Sequence, residues 1–181
     1  MSLPMASEAR FCLRCGTPLV PREVHGTVRP VCPRCGWMFF PDPKVAVAVL
    51  IQDHAGRVLL VQRRHPPAQG RWTLPAGFLN AHEDPREAAQ RECREETGLE
   101  VTLGPLLDVL SGREHPKGAD LLLVYRGYVK AGIPRGQDDA ADARFFSLDA
   151  LPPLAFRSTR TILERHARPR HAPGRGEVPM L

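Results

Sequence analysis

The sequence has no long hydrophobic run. A membrane-spanning helix needs roughly 20 consecutive apolar residues, whereas the longest apolar stretch, VAVAVLI at residues 45–51, has only the length of a strand. The first residues, MSLPMASEARFC, lack the apolar segment of a secretory signal. We therefore expect a cytoplasmic protein with no membrane partner.

The sequence also lacks internal repeats and any interleaving of basic and aromatic residues. At 181 residues it fits one ordinary domain with a small satellite. The net charge of +5 belongs to the two ends, because residues 1–44 and 157–181 are basic and the middle is slightly acidic. Basic ends can attract nucleic acid, but no stacking platform accompanies them, so a nucleic-acid partner is not expected.

The composition divides the chain into three segments. Residues 1–40 hold two cysteine pairs, residues 41–166 alternate strand-like and helix-like patterns, and residues 167–181 have the composition of a disordered basic tail. In the middle segment the patterns predict strands at KVAVAVLIQ, VLLVQR, RWTLP, LLDVLSG, DLLLVYRGYV and ARFFSL, and a helix at FRSTRTILERHAR. Strands around helices in one segment favour an α/β or α+β sandwich.

Four cysteines form the pairs Cys12-x-x-Cys15 and Cys32-x-x-Cys35. This spacing is typical of a zinc ion with four thiolate ligands, and the glycine after each pair lets backbone amides approach the sulfurs. Two disulfides are the alternative, and the missing secretory signal speaks against them. A closed site has no open coordination position, so we predict a structural zinc. The fifth cysteine, Cys93, fits a small buried apolar residue.

The segment PAGFLNAHEDPREAAQRECREETGLE, residues 75–100, is rich in acidic side chains. A helix is predicted from Pro85 to Thr97, with Asp84 as its N-cap and Gly98 as the residue that ends it. Three neighbouring carboxylates on this helix destabilise it by roughly a few tenths of a kcal/mol for each pair. They belong to Glu92, Glu95 and Glu96. A solvated charged face and a divalent-cation site both fit this pattern.

The same segment resembles the Nudix box, Gly-x5-Glu-x7-Arg-Glu-U-x-Glu-Glu-x-Gly-U, in which U is a bulky apolar residue. Gly77, Glu83 and Arg91 fill the fixed positions before the glutamates, and a leucine fills the second U. Cys93 at the first U departs from the aliphatic residues that are commoner there. The resemblance covers residues 41–166. It implies an α/β/α sandwich with a mixed sheet, preceded in this chain by a zinc ribbon.

The resemblance also implies a chemistry. Nudix hydrolases cleave pyrophosphate bonds with Mg²⁺ or Mn²⁺, which are hard cations that favour carboxylate oxygens. Carried over by position, the metal ligands are Glu92, Glu95 and Glu96. A backbone carbonyl at Ala76 or Gly77 is expected to add one ligand.

Other residues of the box are expected to support these ligands. Arg91 orients a glutamate, and Glu83 supports the metal site or its water network. The general base is a box glutamate or an acid on the later loop GQDDAADARFFSLD. The loop offers Asp138, Asp139 and Asp142, which also fit a turn and a solvated surface.

A nucleotide substrate needs an aromatic or apolar clamp for its base. Trp72 is the first candidate, because it follows a loop rich in proline and glycine and precedes the turn into the box. Phe78 is a further clamp candidate, and Arg64 is a candidate for the phosphates. Each of these residues also fits a plain core or surface role. The wider set comprises Phe39, Phe40, Phe156, Arg63, Arg71 and Arg113.

The zinc ribbon beside the box narrows the resemblance to a subgroup that includes FAD and ADP-ribose pyrophosphatases. The NADH pyrophosphatases carry a Ser-Gln-Pro-Trp-type signature after the box, and VTLGPLLDVLSGREHPKGADLLLVY has none. We therefore expect hydrolysis of ADP-ribose or FAD with release of AMP. The alternatives are a pyrophosphatase for NADH, NAD-type dinucleotides or NAD-capped RNA, and a non-catalytic nucleic-acid-binding regulator. A homodimer is also considered, since relatives often dimerise.

Overall fold

The computed structural model describes residues 9–115 and 118–167 of the chain. It divides into two compact units between Pro43 and Lys44. Apart from Ala167, the predicted basic tail lies outside the described residues. No helix in the described part is long and apolar enough to cross a membrane.

The first unit is built around a two-stranded hairpin. Strand β1 (Val20–Val24) pairs antiparallel with β2 (Thr27–Val31). The two residues between them, His25 and Gly26, both have positive φ angles, which is the geometry of a tight hairpin turn. One cysteine pair precedes β1 and the other follows β2, so the strand pairing brings the two pairs together.

The second unit contains two sheets and two helices. The four-stranded sheet has the order β6-β3-β8-β7 and is mixed, because β3 and β8 are parallel and the other pairs antiparallel. The three-stranded sheet β5-β4-β9 is antiparallel. The elements are β3 (Val45–Ile51), β4 (Val58–Arg63), β5 (Trp72–Thr73), β6 (Ala76–Phe78), α1 (Pro85–Thr97), β7 (Glu100–Ser111), β8 (Leu121–Ala131), β9 (Ala140–Phe146) and α2 (Arg157–His166).

The two helices cover opposite faces of the central strand β3. Val49 packs with Cys93 of α1 in one buried cluster, and Leu50 packs with Ile162 of α2 in another. Consecutive side chains of a strand point to opposite faces, so α1 and α2 lie on the two sides of the sheet. The predicted sandwich with a mixed sheet is confirmed, as is the burial of Cys93.

The predicted limits of α1 are confirmed, because local signals set both ends. The Asp84 carboxylate accepts a hydrogen bond from the backbone N–H of Arg86 at 2.8 Å. At the other end Gly98 adopts a left-handed conformation with φ of 69°, which glycine reaches without steric cost. The charged residues of the box are therefore presented on a regular helix.

Strand β7 starts at Glu100, earlier than the predicted strand at residues 106–112. The sequence pattern did not predict the first part of β7, because Gly104 and Pro105 are residues that usually interrupt a sheet. The register with β8 shifts between Leu103 and Leu106, so the two residues fall in an irregular part of the pairing. As β7 is the last strand of its sheet, a proline there removes no bond to a further strand.

Candidate active site

Gly77, in the strand β6 that precedes α1, lies next to the carboxylate of Glu92. Strand β6 pairs with β3, and Gly77 lies opposite Val47 in that pairing. A Cβ atom on Gly77 would lie 2.0 Å from Cδ of Glu92. Only a glycine therefore allows the Glu92 carboxylate to approach the backbone of the turn this closely.

Arg91 gathers three carboxylates and the turn around one guanidinium group. Its Nε donates to Glu83 Oε1 at 2.7 Å, and its Nη1 donates to Glu92 Oε1 at 2.7 Å and to Glu95 Oε2 at 2.9 Å. Its Nη2 donates to the carbonyl oxygen of Phe78 at 3.1 Å. The hydrogen bonds from Arg91, together with the Asn80 backbone N–H, lower the pKa of Glu83 to about 2. Glu83 is therefore ionised at neutral pH.

Glu96 lies deeper than the other box glutamates, with 9% of its surface exposed. Its Oε2 accepts a hydrogen bond from the backbone N–H of Ala76 at 3.0 Å. Burial raises the pKa of Glu96 to about 8, and the charges of Glu92 and Asp139 add to the shift. Burial also raises the pKa of Glu92. These two carboxylates hold protons more tightly than ordinary surface glutamates.

A cavity of about 380 Å³ lies in front of these side chains. Of the candidate general bases, Asp138 and Asp139 line it, whereas Asp142 does not. The Asp142 carboxylate instead accepts the backbone N–H of Ala143 and pairs with Arg144. The other predicted site residues on the lining are Gly77, Phe78, Arg91, Glu92, Glu95 and Glu96.

Glu92, Glu95 and Glu96 line one cavity without converging on one point, and Glu83 does not line it. Among the described residues, only the four paired cysteines form a group of three or more metal-ligating side chains whose ligand atoms all lie within 4.8 Å of one another. Arg91 holds Glu92 and Glu95, and the Ala76 amide holds Glu96. These oxygen donors would have to turn from these partners to share a cation.

A second cavity, of about 330 Å³, adjoins the first. Both cavities are lined by the side chain of Arg63, by Thr73 and by the turn at Ala76 and Gly77. The second cavity is lined by apolar and aromatic groups on its far side, including Phe156. One end of the combined space is therefore acidic, and the other suits an apolar or aromatic group.

Two of the predicted substrate-binding residues lie elsewhere. Trp72 is 8% exposed and packs edge-on against Phe146 with ring centroids 4.6 Å apart, and it lines neither of these cavities. Arg64 donates to the carbonyl oxygen of Ala140 at 2.9 Å and also lines neither. Arg63, the last residue of β4, lines both cavities instead, and its Nε donates to the carbonyl oxygen of Pro67 at 2.7 Å. The assignments of Trp72 and Arg64 to the substrate therefore stay predictions that these two cavities do not support, whereas Phe78 lines both cavities.

The cysteines of the first unit form a compact cluster. Cys12 Sγ lies 3.6 Å from Cys35 Sγ, and Cys15 Sγ lies 3.5 Å from Cys32 Sγ. Four sulfurs around a zinc ion at the usual Zn–S length are about 3.8 Å apart, whereas a disulfide needs about 2 Å. All four cysteines are free thiols, so the spacing fits a shared metal ion and excludes the alternative of two disulfides.

The backbone of each cysteine pair is shaped for a metal site. The amide N–H of Arg14 points to Cys12 Sγ and that of Cys35 points to Cys32 Sγ, both at 3.4 Å. The hydroxyl and backbone of Thr17 lower the pKa of the Cys15 thiol to about 6. A lowered pKa favours the thiolate, which is the form that binds metal.

Comparison with known proteins agrees with the fold. The family model described as NUDIX domain matches residues 42–165. The chain therefore belongs to the Nudix family. The solved structure of a NUDIX hydrolase from Nitrosomonas europaea superposes with a TM-score of 0.77 at 29% identity, over 88% of this chain and 90% of that one.

Curated relatives carry two different names. The ADP-ribose pyrophosphatase of Methanocaldococcus jannaschii is 38% identical over 127 residues, which cover 70% of this chain and 75% of the relative. The NAD-capped RNA hydrolase NudC of Pseudomonas aeruginosa is 33% identical over 150 residues, which cover 82% of this chain and 51% of the relative. The matched region thus spans about half the length of that second relative.

Proposed function

We propose that this chain is a metal-dependent hydrolase that cleaves the pyrophosphate bond of ADP-ribose and releases AMP and ribose 5-phosphate. The observation that carries the proposal is the junction of the two cavities. Carboxylates of the box line one cavity, and apolar and aromatic groups line the other. Such a space matches a substrate whose charged phosphates adjoin an uncharged ring.

The donor set fits Mg²⁺ or Mn²⁺, since both prefer carboxylate oxygens and water. In this proposal Glu92, Glu95 and Glu96 hold the ions, and the Gly77 carbonyl is a further ligand. When bound, such ions shield phosphate oxygens and lower the pKa of an attacking water.

The remaining box residues would prepare these ligands. Glu83 is held ionised by Arg91, so the guanidinium group stays fixed when the other glutamates turn toward a cation. Arg91 is then a positioning residue, because its hydrogen bonds run to glutamates and to the turn. Arg63 lies between the two cavities and is our candidate for a phosphate contact.

Asp139 is our first candidate for a general base on the later loop. It lines the acidic cavity, and its side chain is 75% exposed, so a water molecule can reach it. The neighbouring Asp138 lines the same cavity with a positive φ of 48°, a backbone conformation that aspartate tolerates better than most residues. A box glutamate is the alternative base.

An NAD-type dinucleotide is the second candidate substrate. The similarity to NudC, over 82% of this chain, favours it. Both candidates contain an adenosine diphosphate, so the acidic cavity would act on the same bond. FAD shares this group and is a third substrate to test.

A substrate panel separates these possibilities. The full chain would be incubated with Mg²⁺ or Mn²⁺ and ADP-ribose, FAD, NADH, NAD-capped RNA or a nucleoside triphosphate, and products would be separated by chromatography. We expect AMP from ADP-ribose. Hydrolysis of triphosphates alone would refute the substrate class, and nucleic-acid binding without any hydrolysis would favour a regulator on the Nudix scaffold.

Three further features are part of the proposal. We propose Zn²⁺ as the ion of the four cysteines, since thiolates select soft metals. A homodimer and a cytoplasmic location are the other two. Light scattering of the purified chain tests the homodimer, and imaging of a tagged chain tests the cytoplasmic location.

A further inference from the structure

Residues 112–115, which follow β7, are tied to the beginning of α2. The N-cap residue of this helix, Phe156, makes no side-chain hydrogen bond to the first turn. The Glu114 carboxylate accepts the backbone N–H groups of Arg157 at 2.6 Å and Ser158 at 2.7 Å instead. Because the first N–H groups of a helix have no partner within it, these bonds fix the segment and the helix to each other.

This contact brings two rings together on the wall of the apolar cavity. The rings of His115 and Phe156 have centroids 6.1 Å apart and planes inclined by 23°, and both residues line the cavity. The buried hydroxyls of Thr73 and Thr159 lie 2.9 Å apart on the same lining. That bond uses only one of their two hydrogens, so the other hydrogen is available to a ring nitrogen or carbonyl.

The Glu114 carboxylate disfavours an anion at the helix end of the cavity. A helix N-terminus usually attracts anions, but here the Glu114 carboxylate occupies two of its N–H groups. A phosphate beside the helix end would meet the negative charge of Glu114, whereas a heterocycle would not. A positive charge nearby is that of Arg63, whose Cζ lies 5.1 Å from the centroid of the Phe156 ring and which lines both cavities. The volume of about 330 Å³ is at the lower end for ligand pockets, which suits one ring system.

We propose that Glu114 is a positioning residue that holds His115 against Phe156, and that the two rings form the wall of the pocket for the substrate's nucleobase. The inference rests on the proposed function, in which the pyrophosphate lies at the box glutamates. The His115 and Phe156 rings increase the affinity for substrates that carry a nucleobase. Bond cleavage at the other cavity does not depend on it.

Kinetics of variants test this division of roles. Glu114→Ala is expected to raise the KM for ADP-ribose about tenfold and to keep kcat within about twofold, because binding and chemistry lie in different cavities. Glu114→Gln keeps one acceptor oxygen and falls between. His115→Ala raises KM, and His115→Phe restores it, since the ring stacking is retained. Glu164→Ala removes an exposed carboxylate from α2, the helix that Glu114 contacts. It is the matched control and leaves the KM for ADP-ribose unchanged.

Two probes separate the ring pocket from the metal site. Inorganic pyrophosphate has no ring, so its inhibition constant with Mg²⁺ should be the same for His115→Ala, Glu114→Ala and the unaltered chain. Calorimetric titration with AMP, without added Mg²⁺ or Mn²⁺, should show binding weakened about tenfold in both variants.

Unchanged AMP binding in both variants would overturn the inference, as would an equal loss of pyrophosphate inhibition. If the unaltered chain hydrolyses nothing, only the proposed function fails, because the AMP titration measures the pocket without turnover. If Glu114→Ala does not fold, the two His115 variants decide the outcome.

Discussion

Burial of Glu96 opposes the ionisation of its carboxyl group. Its pKa of about 8 lies above the ordinary value of 4.5, so the folded chain binds a proton there that the unfolded chain releases between these pH values. The contribution of Glu96 to stability is therefore full below pH 4.5 and is lost as the pH rises to about 8. A divalent cation would replace this proton.

The first prediction concerns Glu96→Gln without added divalent cations. We expect its melting temperature at pH 8.5 to exceed that of the unaltered chain by at least about 2 °C, because glutamine carries no buried charge. The difference should shrink toward pH 5. Thermal melts across this pH range measure it, and an equal difference at both ends would contradict the raised pKa.

The second prediction concerns Glu83, whose pKa of about 2 lies below its ordinary value. The stability that the ionised carboxylate contributes is present above about pH 4.5 and is lost as the pH falls to about 2. Glu83→Gln should therefore be less stable than the unaltered chain at pH 7 and equally stable below pH 2. Denaturant titrations at several pH values measure this, with Glu87→Gln at an exposed position of α1 as control.

The sequence was sufficient to predict the residues of the box, but not the positions of residues whose contacts are distant in the chain. Gly77, Glu83 and the glutamates occur at fixed spacings in one segment, so a pattern can find them. Trp72 and Glu114 depend on packing between distant parts of the chain. Glu114 meets α2 across 43 residues, and no local signal in the sequence marks that contact.

At the scale of elements, the contact between β6 and α1 forms the acidic cavity. The Glu92 carboxylate can lie close to the backbone of β6 because Gly77 has no side chain. The ends of α1 were predictable, since caps act within a few residues. The start of β7 and the hairpin of the first unit were not, because Gly104, Pro105 and two prolines in the hairpin strands obscure the strand pattern.

The third prediction is that Gly77→Ala separates activity from stability. The added Cβ meets the end of a flexible side chain, which can move, so the free energy of unfolding should change by less than about 1 kcal/mol. The displaced Glu92 carboxylate should lower kcat/KM for ADP-ribose at least about tenfold. Denaturation and kinetics of one preparation measure both. If Gly77→Ala and the unaltered chain were equally active, Glu92 would not be a residue of the active site.

At the scale of the whole molecule, the two compact units have different sources of stability. The second unit buries two hydrophobic clusters on the two faces of its central strand. The first unit, from Met1 to Pro43, is a hairpin with four clustered thiols, and so small a segment buries little apolar surface. Metal binding can supply the missing folding free energy.

The fourth prediction follows from this difference. Reduced protein should contain about one zinc ion per chain, and Cys32→Ser should lower this content and loosen the first unit. Metal analysis and limited proteolysis measure the two effects. Cys93→Ser is the matched control, since that thiol lies in the core of the second unit and should leave the zinc content unchanged. A zinc-free, equally resistant chain would contradict the ribbon.

The central claim is that the box glutamates hold the divalent cations that drive pyrophosphate cleavage. Its most direct test is the rate of AMP release from ADP-ribose with Mg²⁺, for the unaltered chain and for Glu96→Gln at equal folded concentration. We expect the substitution to lower kcat by about 10²-fold or more, because a neutral amide is a poor ligand for a hard cation. A rate within about threefold of the unaltered chain would contradict the claim.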